Sequence, residues 1–279
     1  MEINSKIPKT FKLNNGMEIP SVGFGTYNVA NVDKMIYDSI KNGLRLIDGA
    51  IRYGNEKEVG LGINNAIKDG LVERKDLFVV TKIFTKEKHK PEEAIINQLK
   101  TLNLTYVDLY LDHWPFTMNL VDGVIINTPT HIFWKNMESL VKKGYTKSIG
   151  VSNYNVQLLM DILSYCEIKP VVNEVELHPY LTQKNLIEYC DLVGIKVIAF
   201  SSICKGIYVY QYGNENSGLN LLEEKIRSLL ALLTKLQGEN RKIKTELDEG
   251  TSLEKMLDQK KRQQLRTMIE GMLETLEKF

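Results

Sequence analysis

The chain has 279 residues, 43% hydrophobic and 25% charged, which suits one large domain or a medium domain with an extension. Its 36 basic and 35 acidic side chains leave a net charge of +1, so charge gives no reason to expect nucleic acid or an anionic membrane as a partner. Cys166, Cys190 and Cys204 are too few for a disulfide framework and wrongly spaced for a zinc site, so free thiols in a reducing compartment are expected. No stretch approaches the roughly 20 apolar residues of a membrane helix. Residues 1–12 have no long apolar run, so no secretory signal is read there and a cytoplasmic location is expected.

The first expected element is a hairpin over Thr10–Pro20, turning at Asn14-Asn15-Gly16, because Asn-Gly favours tight hairpin turns. Short β-rich runs follow at Leu44–Asp48, Leu77–Lys82, Val107–Leu111, Ser148–Val151, Val171–Val175 and Lys196–Phe200. Amphipathic stretches such as Asp33–Asn42, Glu56–Asp69, Lys90–Leu102 and Ile132–Lys143 lie between them. Such alternation implies right-handed β-α-β units and a parallel sheet of about six strands. Strand spacing fits a (β/α) barrel or a doubly wound sheet. Gly23-Phe24-Gly25 precedes the first of these runs and lacks the third glycine of a dinucleotide-binding turn, so it is discounted.

From Gly218 the pattern changes. Leu222, Ile226, Leu229, Leu233, Leu236, Asn240, Ile243 and Leu247 alternate steps of four and three, a heptad seam with Asn240 at an a position. Thr251-Ser252-Leu253-Glu254 is a capping box that would start a second helix. The expected division is a barrel portion over 1–206 and a helical extension over 207–279. The extension would hold a strand at 207–212 and helices at about 219–247 and 252–278, paired as a hairpin or a coiled coil. Its seam either packs on the barrel or pairs with a partner helix through 219–279, by self-association or with another protein.

Polar residues gather where the expected strands end. Asp48 ends the first, with Tyr53 five residues on; Lys82 ends the second, and His113-Trp114 follows the third. Ser152-Asn153, Glu174 and Phe200-Ser201 mark the last three. Parallel α/β barrels build their active sites at this face. A free phenol titrates near pH 10, and an ammonium beside it favours the phenolate and lowers that value. Tyr53 as acid, Lys82 as tuner, Asp48 as anchor of Lys82 and His113 as orienter would make a carbonyl-reducing site. No metal site is expected.

Asp48-Gly49-Ala50, Tyr53-Gly54-Asn55-Glu56, Thr81-Lys82, His113-Trp114-Pro115, Gly150-Val151-Ser152-Asn153 and Val172 to Pro179 together resemble the aldo-keto reductases, over about three-quarters of the chain. The resemblance implies an incomplete TIM-type barrel and reduction of a small-molecule aldehyde or ketone with NADPH. It implies cofactor contacts at Thr26, Ser152, Asn153, Glu174, Phe200 and Ser201, with Phe200 under the nicotinamide ring. It also implies a substrate pocket walled by Tyr27 and Trp114. The chain departs from the family at Gly49 (commonly threonine), Glu174 (glutamine) and Phe200 (tyrosine). After Ser201 no counterpart of the adenosine-phosphate clamp or specificity loop follows. Phosphate contacts contribute roughly 1.5–3 kcal/mol each, so losing two or three implies a weakened cofactor grip. Two functions stay open: an NADPH-dependent carbonyl reductase with impaired cofactor binding, or a non-catalytic barrel remnant held in an assembly by its helical tail.

Overall fold

The hairpin forms where the Asn-Asn-Gly turn places it: β1 (Thr10–Lys12) and β2 (Glu18–Pro20) pair antiparallel. Gly16 sits at φ 89°, which only glycine adopts without strain. In this computed structural model the described residues are 9–202, except 118, 122, 123 and 127; at 119–121 and 124–126 the backbone alone is described. The strand expected at 207–212, both expected tail helices, their coiled-coil or hairpin pairing and Cys204 lie outside the described residues.

Seven parallel strands follow. In chain order they are β3 (Gly23–Gly25), β4 (Leu46–Asp48), β5 (Phe78–Ile83), β6 (Leu109–Asp112), β9 (Ile149–Ser152), β10 (Val172–Glu176) and β11 (Lys196–Phe200). Each pairs with the next, so spatial order equals chain order. A short antiparallel hairpin, β7 (Asn119–Val121) with β8 (Val124–Ile126), interrupts the series after β6. Helices α1 (Val32–Lys41), α2 (Glu56–Lys68), α3 (Pro91–Leu102), α4 (Thr130–Lys142), α5 (Val156–Tyr165) and α6 (Lys184–Val193) form the outer layer. The sheet curls into a nearly closed (β/α) barrel.

One expectation changes. The sheet has seven strands rather than six, because the discounted Gly23-Phe24-Gly25 run is itself a strand, paired Gly23↔Leu46, Phe24↔Ile47 and Gly25↔Asp48. The glycine is needed for the fit, since a Cβ on Gly23 would press into the Leu46 side chain at 2.6 Å. The edge of Leu46–Asp48 is therefore paired. Among the described residues the outer strands of the barrel are β3 and β11.

Side-chain alternation divides the core in two. Leu46, Phe78, Val80, Leu109, Leu111 and Val172 point into the barrel, where Leu13 and Ile19 of the hairpin region join them. Ile47, Val79, Ile83, Tyr110, Ile149, Val151 and Val175 point outward beneath the helices. Each fully buried aliphatic side chain contributes roughly 1.5–3 kcal/mol of transfer free energy. Asn14 Nδ2 donates to the Pro170 carbonyl and Asn15 Nδ2 to Ser148 Oγ, both at 2.9 Å, which fastens the hairpin to the far side of the barrel. No helix among the described residues is long and apolar enough to cross a membrane.

Candidate active site

The period of two that sends Phe78 and Val80 inward sends Lys82 inward as well, at the last inward step of β5. Asp48 is the inward residue ending β4, and Glu174 and Ser152 are register partners on β10 and β9. One layer of the barrel therefore closes with polar groups instead of aliphatic ones. At its centre the fully buried Lys82 ammonium lies 2.5 Å from Asp48 Oδ1, 3.2 Å from Glu174 Oε1, 3.1 Å from the Gly49 carbonyl and 3.4 Å from Tyr53 Oη. Burial works to discharge Lys82, but the Asp48 carboxylate, reinforced by Glu174 when that group ionises, outweighs it and holds the amine charged.

Tyr53 stands on a one-turn 3₁₀ segment, Ile51–Tyr53, directly after β4. Sequence reasoning expects Lys82 to acidify its phenol. Lys82 does pull in that direction, yet burial is the larger effect, and Asp48 and Glu174 oppose the ammonium. The phenol is pushed up to about 12, so the expectation of an acidified Tyr53 is corrected: Tyr53 is firmly protonated at neutral pH.

His113 follows β6, with its ring edge-on to Tyr53 at 5.9 Å and to Phe84 at 5.6 Å. Burial, then the Lys82 and Arg52 charges, push its imidazole down to about 3. The ring is therefore neutral, with one N–H donor and one acceptor nitrogen. Its Nδ1 is buried without a hydrogen-bond partner.

The residues implied as nicotinamide contacts lie opposite. Ser152 Oγ donates to the Glu174 carbonyl at 2.8 Å, and Asn153 Nδ2 donates to the His113 carbonyl at 2.9 Å. Asn153 holds φ 63°, a conformation asparagine tolerates better than most residues. Glu174 is 2% exposed, and its Oε2 is buried without a partner. Burial first, then the Asp48 charge, push its carboxyl up to about 8, against the downward pull of Lys82. Thr26 is buried behind the site; its backbone N–H and its Oγ1 both donate to the Asp48 carbonyl at 2.9 Å. This placement supports Asp48.

A cavity of about 1390 Å³ brings the others together. Asp48, Tyr53, His113, Ser152, Asn153, Glu174, Phe200, Ser201, Tyr27 and Trp114 all line it. Tyr27 packs edge-on to Tyr53 at 5.1 Å. Among the lining residues that sequence reading does not name are Phe84 and Arg52. Phe84 is one inward step beyond Lys82 and was open to the same alternation rule. Arg52 is the residue before Tyr53, and a lone charged residue in a loop carries no signal of its own. No cluster of three metal-ligating side chains occurs among the described residues.

The groups at one end of this cavity have the chemistry that a nicotinamide would need. Its carboxamide amine needs acceptors, and the unpartnered Glu174 Oε2 is one. Ser152 Oγ can accept as well as donate, and Phe200 offers a ring at the cavity wall.

Comparison with known proteins identifies the family. Residues 15–261 match the aldo/keto reductase family. Aldose reductase C of Dictyostelium discoideum is 44% identical over 217 residues, covering 70% of this chain and 67% of that protein. The NADPH-dependent D-xylose reductase of Candida boidinii is 45% identical over 211 residues, 68% of this chain and 65% of that protein. The crystal structure of a Bombyx mori aldo-keto reductase in complex with NADP has a TM-score of 0.65 and 36% identity, covering 69% of this chain and 66% of that one. Another aldo-keto reductase, complexed with NADPH, has a TM-score of 0.65 and 35% identity, covering 69% and 62%. The chain spans about two thirds of the length of these relatives. The chain belongs to the aldo/keto reductase family.

Proposed function

We propose that the chain reduces an aldehyde or ketone to an alcohol with NADPH. The observation that carries this is the charged Lys82 ammonium, buried 3.4 Å from the Tyr53 hydroxyl and clamped by Asp48. A reduced nicotinamide, held by Ser152, Asn153, Glu174 and Phe200, would supply hydride to the carbonyl carbon. The chain's own residues handle the oxygen. Tyr53, protonated at neutral pH, and the neutral His113 ring each offer a hydrogen bond to the carbonyl and hold it near Lys82. As negative charge grows on that oxygen, Tyr53 gives up its proton, since an alkoxide is far more basic than a phenolate. Lys82 stabilises the phenolate left behind until solvent returns the proton.

The names of the relatives support the same chemistry: D-xylose reductases described as NADPH-dependent or NAD(P)H-dependent, and solved structures carrying NADP or NADPH. The test is titration with NADPH by fluorescence or calorimetry, followed by turnover of a simple aldehyde. Saturable binding and turnover that Tyr53→Phe abolishes are expected. No binding at millimolar NADPH removes the reductase reading and leaves the structural-subunit one.

A further inference from the structure

Five charged side chains line the cavity, and four of them are paired. Asp48 and Glu174 are both held by Lys82, and Asp191 lies 3.7 Å from Lys196. Arg52 is the fifth. No carboxylate among the described residues forms an ion pair with it; its contact is with the Phe84 ring, whose centroid is 5.5 Å from the guanidinium carbon. Phe84 in turn meets His113 edge-on, and His113 meets Tyr53. Arg52, Phe84, His113 and Tyr53 thus form one continuous wall, from an exposed cation to the proton donor. The Arg52 charge is felt along this wall, since it helps keep the His113 ring neutral.

A guanidinium is a planar fork that matches a carboxylate with two parallel hydrogen bonds. Over Phe84 it is partly fixed by a cation–π contact and needs less ordering when an anion arrives. Phe84 lies between His113 and Arg52, so an apolar substituent on a carbonyl held at Tyr53 and His113 would have a ring to pack on and a cation beyond it. We propose that Arg52 is a specificity-determining residue and that the preferred substrates are aldehydes carrying a carboxylate, with an aromatic or short apolar spacer between the two groups. This rests on the reductase reading above.

The test compares 4-carboxybenzaldehyde with its neutral counterpart 4-formylbenzamide, using NADPH and the full chain. About tenfold higher kcat/KM for the carboxylate is expected, expressed mainly in KM and shrinking as ionic strength rises. Arg52→Gln should bring the ratio close to one, and Arg52→Lys should retain part of it. Arg52 is exposed on a rim turn, and the salt dependence of the unsubstituted protein gives an answer that needs no variant. Equal use of both aldehydes, or a preference that survives Arg52→Gln, overturns this inference and leaves the reductase reading standing. Turnover of neither aldehyde overturns both.

Discussion

Replacing Glu174 by glutamine isolates the least usual feature of the site, a second acid on the ammonium of Lys82. In the folded protein this carboxyl is buried, faces Asp48 across Lys82, and titrates at about 8 instead of the ordinary 4.5. Between those two values the folded chain keeps a proton that the unfolded chain has released. Stability therefore falls as pH rises through this window. No penalty exists below about pH 4.5, and the whole penalty is present above pH 8. At about 1.4 kcal/mol per pH unit, the gap amounts to at most about 5 kcal/mol. Glutamine has nearly the same shape and cannot ionise, so Glu174→Gln removes the slope. The two proteins should melt at similar temperatures at pH 5. At pH 9 the variant should melt higher by roughly 10 °C, since 1 kcal/mol shifts a domain of this size by about 2–4 °C. Thermal unfolding followed by circular dichroism at half-unit pH steps measures both curves. Parallel curves from pH 5 to pH 9, or a variant less stable at pH 9, would refute the reasoning, because Glu174 would then be ionised and held favourably by Lys82.

Two further outcomes follow from the geometry. His113 is pushed down to about 3, so the pH profile of kcat/KM should show no inflection from it between pH 5 and 8. An inflection near pH 6.5 that disappears in His113→Gln would contradict the neutral-imidazole assignment. On the outer layer, a Cβ at Gly60 of α2 would run into the Leu102 backbone carbonyl at the end of α3. Gly60→Ala should therefore cost about 1–3 kcal/mol in a guanidinium unfolding titration; a midpoint unchanged from the parent would show that the two helices separate freely.

What the sequence disclosed depended on side chains that repeat. Strands such as Phe78–Ile83 and Val172–Glu176 are legible because β-branched and aromatic residues fill both faces of a buried parallel strand. The ends of the expected strands brought Asp48, Lys82 and Glu174 to one face of the sheet from the sequence alone. Gly23–Gly25 escaped because two of its three residues have no side chain to form a pattern; its identity as a strand lies in the space beside Leu46. The Asn119–Val121 and Val124–Ile126 hairpin is too short for any period to show. At the site, the residues were found but one balance was misjudged. Adjacency predicts that Lys82 lowers the Tyr53 titration, whereas the net direction depends on how much water the phenol loses and on a second carboxyl group four strands away. Arg52 escaped because its meaning lies in what fails to surround it.

The hydrogen bonds from Asn14 to Pro170 and from Asn15 to Ser148 join residues 156 and 133 positions apart. This hairpin thus has its acceptors in a stretch synthesised much later. Until then Leu13 and Ile19 have no complete interior to enter, and the turn waits as a local structure with an exposed apolar face. Contacts of such long range slow folding, since a large loop must close before they form. The base of the barrel is laid last, and a chain interrupted before residue 170 would hold a folded turn with nowhere to seat it.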